Sequence, residues 1–103
     1  MSTEILIIDD NSDIRIILDE LIKEAGYKTR LAANFNQALS EIDKKLPDVA
    51  IMDVKLDKGD NDGIQLLEHI KKKNSDIPVI MISGHANIEM AVSSLKSGAF
   101  EFI

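Results

Sequence analysis

Asp9 and Asp10 close the apolar run Glu4-Ile5-Leu6-Ile7-Ile8, and Asp53 closes a second run, Val49-Ala50-Ile51-Met52. Runs this short and this continuously apolar read as strands buried on both faces, as in a parallel sheet. In open parallel α/β sheets, ligands bind just beyond the carboxyl ends of the strands. The three carboxylates are therefore expected to converge on one edge. Clustered carboxylates raise one another's pKa unless a cation neutralises them. All-oxygen ligation suits a hard ion such as Mg²⁺.

The elements that must position these residues alternate. Ile14, Ile17, Leu18, Leu21, Ile22 and Ala25 follow helical spacing along one stripe. Asn11 or Ser12 can cap that helix, and Gly26 can end it. Tyr27 to Leu31 reads as a short strand. Asn34 and Gln37 have capping-box-like spacing ahead of a helical face of Phe35, Ala38, Leu39 and Ile42. Pro47 precedes a strand over Asp48 to Met52. The polar loop from Asp57 to Gly63 leads to a helix carrying Ile64, Leu67 and Ile70. Pro78 opens a strand over Val79 to Ile82. Asn87 can cap a fourth helix with Ile88, Ala91, Val92 and Leu95, and Gly98 can close it. Ala99 to Ile103 begins a fifth strand. Strand and helix in regular alternation predict an α/β fold with a parallel sheet and right-handed crossovers.

Composition narrows the function. The chain has 103 residues, enough for one domain, and is 45% hydrophobic and 29% charged. A net charge of −6 argues against this segment binding nucleic acid or an anionic membrane by itself. Its basic run, Lys71-Lys72-Lys73, reads as a solvated last helical turn. With no cysteine, disulfides and thiolate metal sites are excluded. No apolar run approaches the roughly 18 residues of a membrane span, and the start lacks a basic leader. A cytoplasmic location is the default. Neither G-x-x-x-x-G-K nor G-x-G-x-x-G occurs, so a built-in nucleotide site is not expected.

Along its whole length the chain resembles the receiver domain of bacterial two-component response regulators. The resemblance rests on Asp9-Asp10, on Asp53 after the third strand, on Ser83 after the fourth, and on Phe102 in the fifth. It implies a doubly wound, flavodoxin-like three-layer fold with parallel sheet order 2-1-3-4-5. It also implies a signalling domain, not an enzyme in the ordinary sense, that takes a phosphoryl group from a sensor histidine kinase. Asp53 would be the phosphoacceptor. Asp10, with Asp9 assisting through water, would hold Mg²⁺ together with Asp53 and the backbone carbonyl of Lys55. Ser83 would hydrogen-bond a phosphoryl oxygen, and Phe102 would be the switch aromatic.

The stretch from Val54 to Asp62 is longer than in typical receivers and lacks their Met-Pro. With the segments Ser83 to Glu89 and Ser97 to Ile103, it resembles the NtrX group within the NtrC-like nitrogen regulators. Those carry an ATPase and a DNA-binding domain after the receiver, so the parent protein is expected to bind DNA through a domain absent here. The family's lysine and fifth helix fall beyond Ile103. Residues 1–103 thus read as a receiver truncated before the fifth helix, expected to self-associate as a homodimer or by exchanging its C-terminal strand.

The same residues admit other readings. A pseudo-receiver, working as a phosphorylation-independent interaction module, is the alternative function. A phosphatase-like enzyme of similar topology would need a second aspartate two residues past Asp53, where Lys55 stands. Asp57, Asp60 and Asp62 resemble a calcium loop in composition but not in spacing. His69 reads as a surface residue, His85 as a loop histidine, and Met52, Met81 and Met90 as packing residues.

Overall fold

The computed structural model describes residues 3–54, 56, 57, 59, 61–82, 98 and 99, and the backbone of 101 and 102. Eight elements follow in the order β1 (Glu4–Ile8), α1 (Ser12–Glu24), β2 (Lys28–Ala32), α2 (Phe35–Lys44), β3 (Val49–Asp53), α3 (Asp62–Lys73), β4 (Val79–Ile82) and β5 (Glu101–Phe102). All neighbouring strands pair in parallel, in the order β2-β1-β3-β4-β5. This is the doubly wound, flavodoxin-like arrangement. The expected fourth helix lies outside the described residues.

The continuous apolar runs become the central strands because both of their faces are covered. On one face Leu6, Ile8, Ala50, Met52, Val79 and Met81 join Ala38 and Ile42 of α2 and Leu66, Leu67 and Ile70 of α3 in a single buried cluster. Met52 and Met81 are wholly buried in it, as packing residues. The opposite face carries Ile5 and Ile7, both buried, and Ile51, Ile80 and Ile82, which are half-covered. On that side α1 buries none of its residues: Ile14, Ile16, Ile17 and Leu21 are all exposed. The apolar stripe of α1 is present as the sequence predicts, and no described residue buries it.

Local signals set the boundaries. The Asn11 side chain accepts from Asp13 N–H at 2.9 Å and Ile14 N–H at 3.3 Å, capping α1. Gly26 takes φ +96°, a left-handed conformation that favours glycine, and ends the helix. Tyr27 N–H still donates to Ile22. Strand β2 therefore starts at Lys28, one residue later than expected, and runs on to Ala32 opposite Ile8. The Asn34 side-chain Oδ1 accepts from Gln37 N–H at 2.8 Å, and the Gln37 side-chain Oε1 accepts from Ala33 N–H at 2.8 Å.

Candidate functional site

Asp9 and Asp10 extend from the carboxyl end of β1, and Asp53 is the last residue of β3. Because Ile8 pairs with Met52, Asp9 and Asp53 are at matching heights on adjacent strands. The three side chains each offer a carboxylate oxygen within 4.8 Å of the others. Asp9 is 1% exposed and Asp53 8%, while Asp10 is exposed to solvent. The cluster thus has a buried floor and an open mouth.

The loop after β1 is held by its own polar groups. Asp9 N–H continues the sheet by donating to Ala32 C=O at 3.2 Å. The Asp9 carboxylate accepts from Asn11 N–H at 2.9 Å. Arg15, on the first turns of α1, donates from Nη1 to the Asp9 carbonyl at 2.7 Å. Burial pushes the Asp9 carboxyl above its ordinary range; the Asn11 N–H works against this, the negative Asp10 adds to it, and Arg15 opposes it. A carboxylate strained upward in this way, beside two others, favours a cation. The donors are all oxygen and lie within 4.8 Å of one another, close to the spacing of about 4.2 Å across an ion with bonds of about 2.1 Å. The residues present fit Mg²⁺.

Nothing in the sequence marks Arg15: an arginine five residues after an acidic pair carries no signal until the helix turns it back. Lys55, Ser83 and His85 and the side chain of Phe102 lie outside the described residues. Asp57 accepts from Phe35 N–H at 2.8 Å and Asp62 from Gly59 N–H at 3.0 Å. Asp60 is outside the described residues.

A doubly wound sheet with an acidic triad at its carboxyl edge is the architecture of a receiver, and residues 5–103 match the family model described as the response regulator receiver domain. The chain belongs to that family, and is a phosphoacceptor signalling domain. Among its relatives, NtrX of Azorhizobium caulinodans is 41% identical over all 103 residues, which cover 23% of that protein. Sporulation initiation phosphotransferase F of Bacillus subtilis is 37% identical over 96% of this chain and 78% of its own length. The crystal structure of the NtrX receiver domain from Brucella abortus aligns with a TM-score of 0.85 at 41% identity, over 96% of this chain and 82% of that one. A CheY-like receiver from Methanospirillum hungatei aligns at 0.92 and 30% identity, over 100% and 81%. The chain thus spans about a quarter of the NtrX relative from Azorhizobium and about four-fifths of the other three.

Proposed function

We propose that Asp53 accepts a phosphoryl group from a phosphohistidine of a sensor histidine kinase. The observation that carries this reading is the convergence of Asp9, Asp10 and Asp53 at the carboxyl edge of the sheet. An Asp53 carboxylate oxygen attacks phosphorus, the bond to the donor's imidazole nitrogen breaks, and that nitrogen keeps the electron pair. Asp10, with Asp9 behind it, Asp53 and the Lys55 carbonyl would hold Mg²⁺, which when bound neutralises charge on the transferred group. The domain promotes its own phosphorylation and dephosphorylation. Ser83, next in sequence after β4, would donate its hydroxyl proton to a phosphoryl oxygen, and Phe102 would respond by turning inward.

The NtrX-type and NtrC-type relatives, one of them described as a DNA-binding transcriptional regulator, support a parent protein that works in the cytoplasm and regulates transcription, including nitrogen genes, through a further domain. Self-association of the 103-residue chain, as a homodimer or by strand exchange, draws support from the exposed apolar face of α1.

Beryllofluoride with Mg²⁺, a non-covalent mimic of the phosphorylated carboxylate, tests the assignment. Amide resonances at the ends of β1 and β3 should shift in the wild type and stay put in Asp53→Asn. Wild-type spectra that ignore the reagent would favour the pseudo-receiver.

A further inference from the structure

The N-terminus of α3 touches the backbone of Asp53. Gly63, the second residue of that helix, donates its N–H to the Val54 carbonyl at 2.8 Å. A Cβ added at Gly63 would collide with the Asp53 carbonyl oxygen and would lie 2.7 Å from the Val54 Cα and 2.9 Å from the methyl of Met81. The methionine could turn aside, but the two backbone atoms cannot. Gly59, in the same loop, has open space where its Cβ would be.

We propose that Gly63 is a positioning residue for the phosphoacceptor: the bare helix start is a backstop that fixes the Asp53–Val54 backbone, and so the height at which the Asp53 carboxylate meets those of Asp9 and Asp10. This rests on the reading of Asp53 as phosphoacceptor. An ordinary carbon–oxygen approach is no shorter than about 3.3 Å, so any side chain at 63 forces helix and strand apart by about 1 Å. Asp53 is the last residue of β3, where the ladder to β4 ends at Ile82, so the displacement falls on the strand end and not on the sheet centre. A misplacement of about 1 Å at a reacting group can lower a rate by about a hundredfold.

The test compares the 103-residue chain with its Gly63→Ala, Gly59→Ala and Leu67→Ala variants, each at a temperature where it is fully folded. The readouts are the rate of phosphorylation by acetyl phosphate and the Mg²⁺ dissociation constant. Gly63→Ala should lose between about tenfold and a hundredfold in rate and bind Mg²⁺ more weakly. Gly59→Ala should match the wild type. Leu67→Ala, a buried residue of the same helix, should melt earlier while keeping its rate. Equal rates in Gly63→Ala and wild type overturn the proposal, as does a matching rate loss in Leu67→Ala. If Gly63→Ala does not fold, the Gly63 amide of the wild type decides. Its resonance should move when beryllofluoride and Mg²⁺ bind, while that of Gly59 should not; a Gly63 amide that stays still overturns the proposal. A wild type that binds no beryllofluoride would instead remove the phosphoacceptor reading itself.

Discussion

His69 Nε2 on α3 lies 2.8 Å from Asp43 Oδ1 on α2, and Lys73, one turn further along α3, reaches the same oxygen at 3.2 Å. His69 is at the surface, as its neighbours Glu68 and Ile70 imply, and its side chain is paired there. It ties together two helices that cover the same face of the sheet. The His69 hydrogen bond first, and Lys73 second, hold the Asp43 carboxyl below its ordinary value of 3.8. A depressed carboxylate contributes stability above its unfolded-state pKa and loses it as pH falls through the folded-state value. Asp43→Asn should melt slightly below the wild type at neutral pH, and the gap should close in acid below about pH 3.8. The effect is small because the pair is exposed. Thermal melts over a pH series check it, and a gap of constant size in strong acid would contradict the linkage.

Asp9 carries the opposite sign. Burial raises its pKa, so the folded state loses stability as pH rises from the unfolded-state carboxylate value through the raised folded-state value. Without metal, Asp9→Asn should melt higher than the wild type. Mg²⁺ at about 100 times its dissociation constant should stabilise the wild type by about 2.7 kcal/mol, with most of that gain lost in Asp10→Ala. Melting with and without chelator tests both halves. A wild type indifferent to millimolar Mg²⁺ argues against the metal site.

Two side chains cap the start of α2 from different parts of the chain. Asn34 accepts from Gln37 N–H, and Asp57, in the loop after β3, accepts from Phe35 N–H. Replacing either by alanine should cost about 1 kcal/mol. The Asp57 contribution should shrink with added salt, because a charge at a helix N-terminus is screened. Urea titrations at low and high salt separate the two, and a salt-independent loss for Asp57→Ala would contradict the electrostatic part.

Among the described residues, the exposed apolar surface is on α1 and not on β1. An exposed face of β1 and β5 would be expected if a covering helix is missing, yet Ile5 and Ile7 of β1 are buried. The exposed residues are those of α1, with Ile16 at 54%, Ile17 at 55% and Leu21 at 57%. Ile17→Lys combined with Leu21→Lys should reduce self-association in sedimentation without lowering the melting temperature by more than about 1 kcal/mol equivalent, as for surface changes. Undiminished association would place the contact elsewhere.

The strands and the acidic edge were legible because central parallel strands are apolar without interruption, so the first charged residue marks the strand end. Thus Ile8 to Asp9 and Met52 to Asp53 announce the site's location. Helix α3 was legible from Ile64, Leu67 and Ile70, although Leu66 is buried as well because the helix lies deep against the sheet. Periodicity told which side of α1 is apolar, not whether another element covers it. The pairing of His69 with Asp43, the reach of Arg15 to the Asp9 carbonyl and the contact of Gly63 with Asp53 were not legible. Each depends on how two elements pack, and no local pattern encodes that distance.

The most direct measurement is the intact mass of the 103-residue chain after incubation with acetyl phosphate and Mg²⁺, for wild type and Asp53→Asn. The wild type should gain the mass of one phosphoryl group, and hydroxylamine should remove it, as it cleaves an acyl phosphate. Asp53→Asn should gain nothing. An adduct of equal yield in Asp53→Asn would contradict the assignment of Asp53 as the phosphoacceptor.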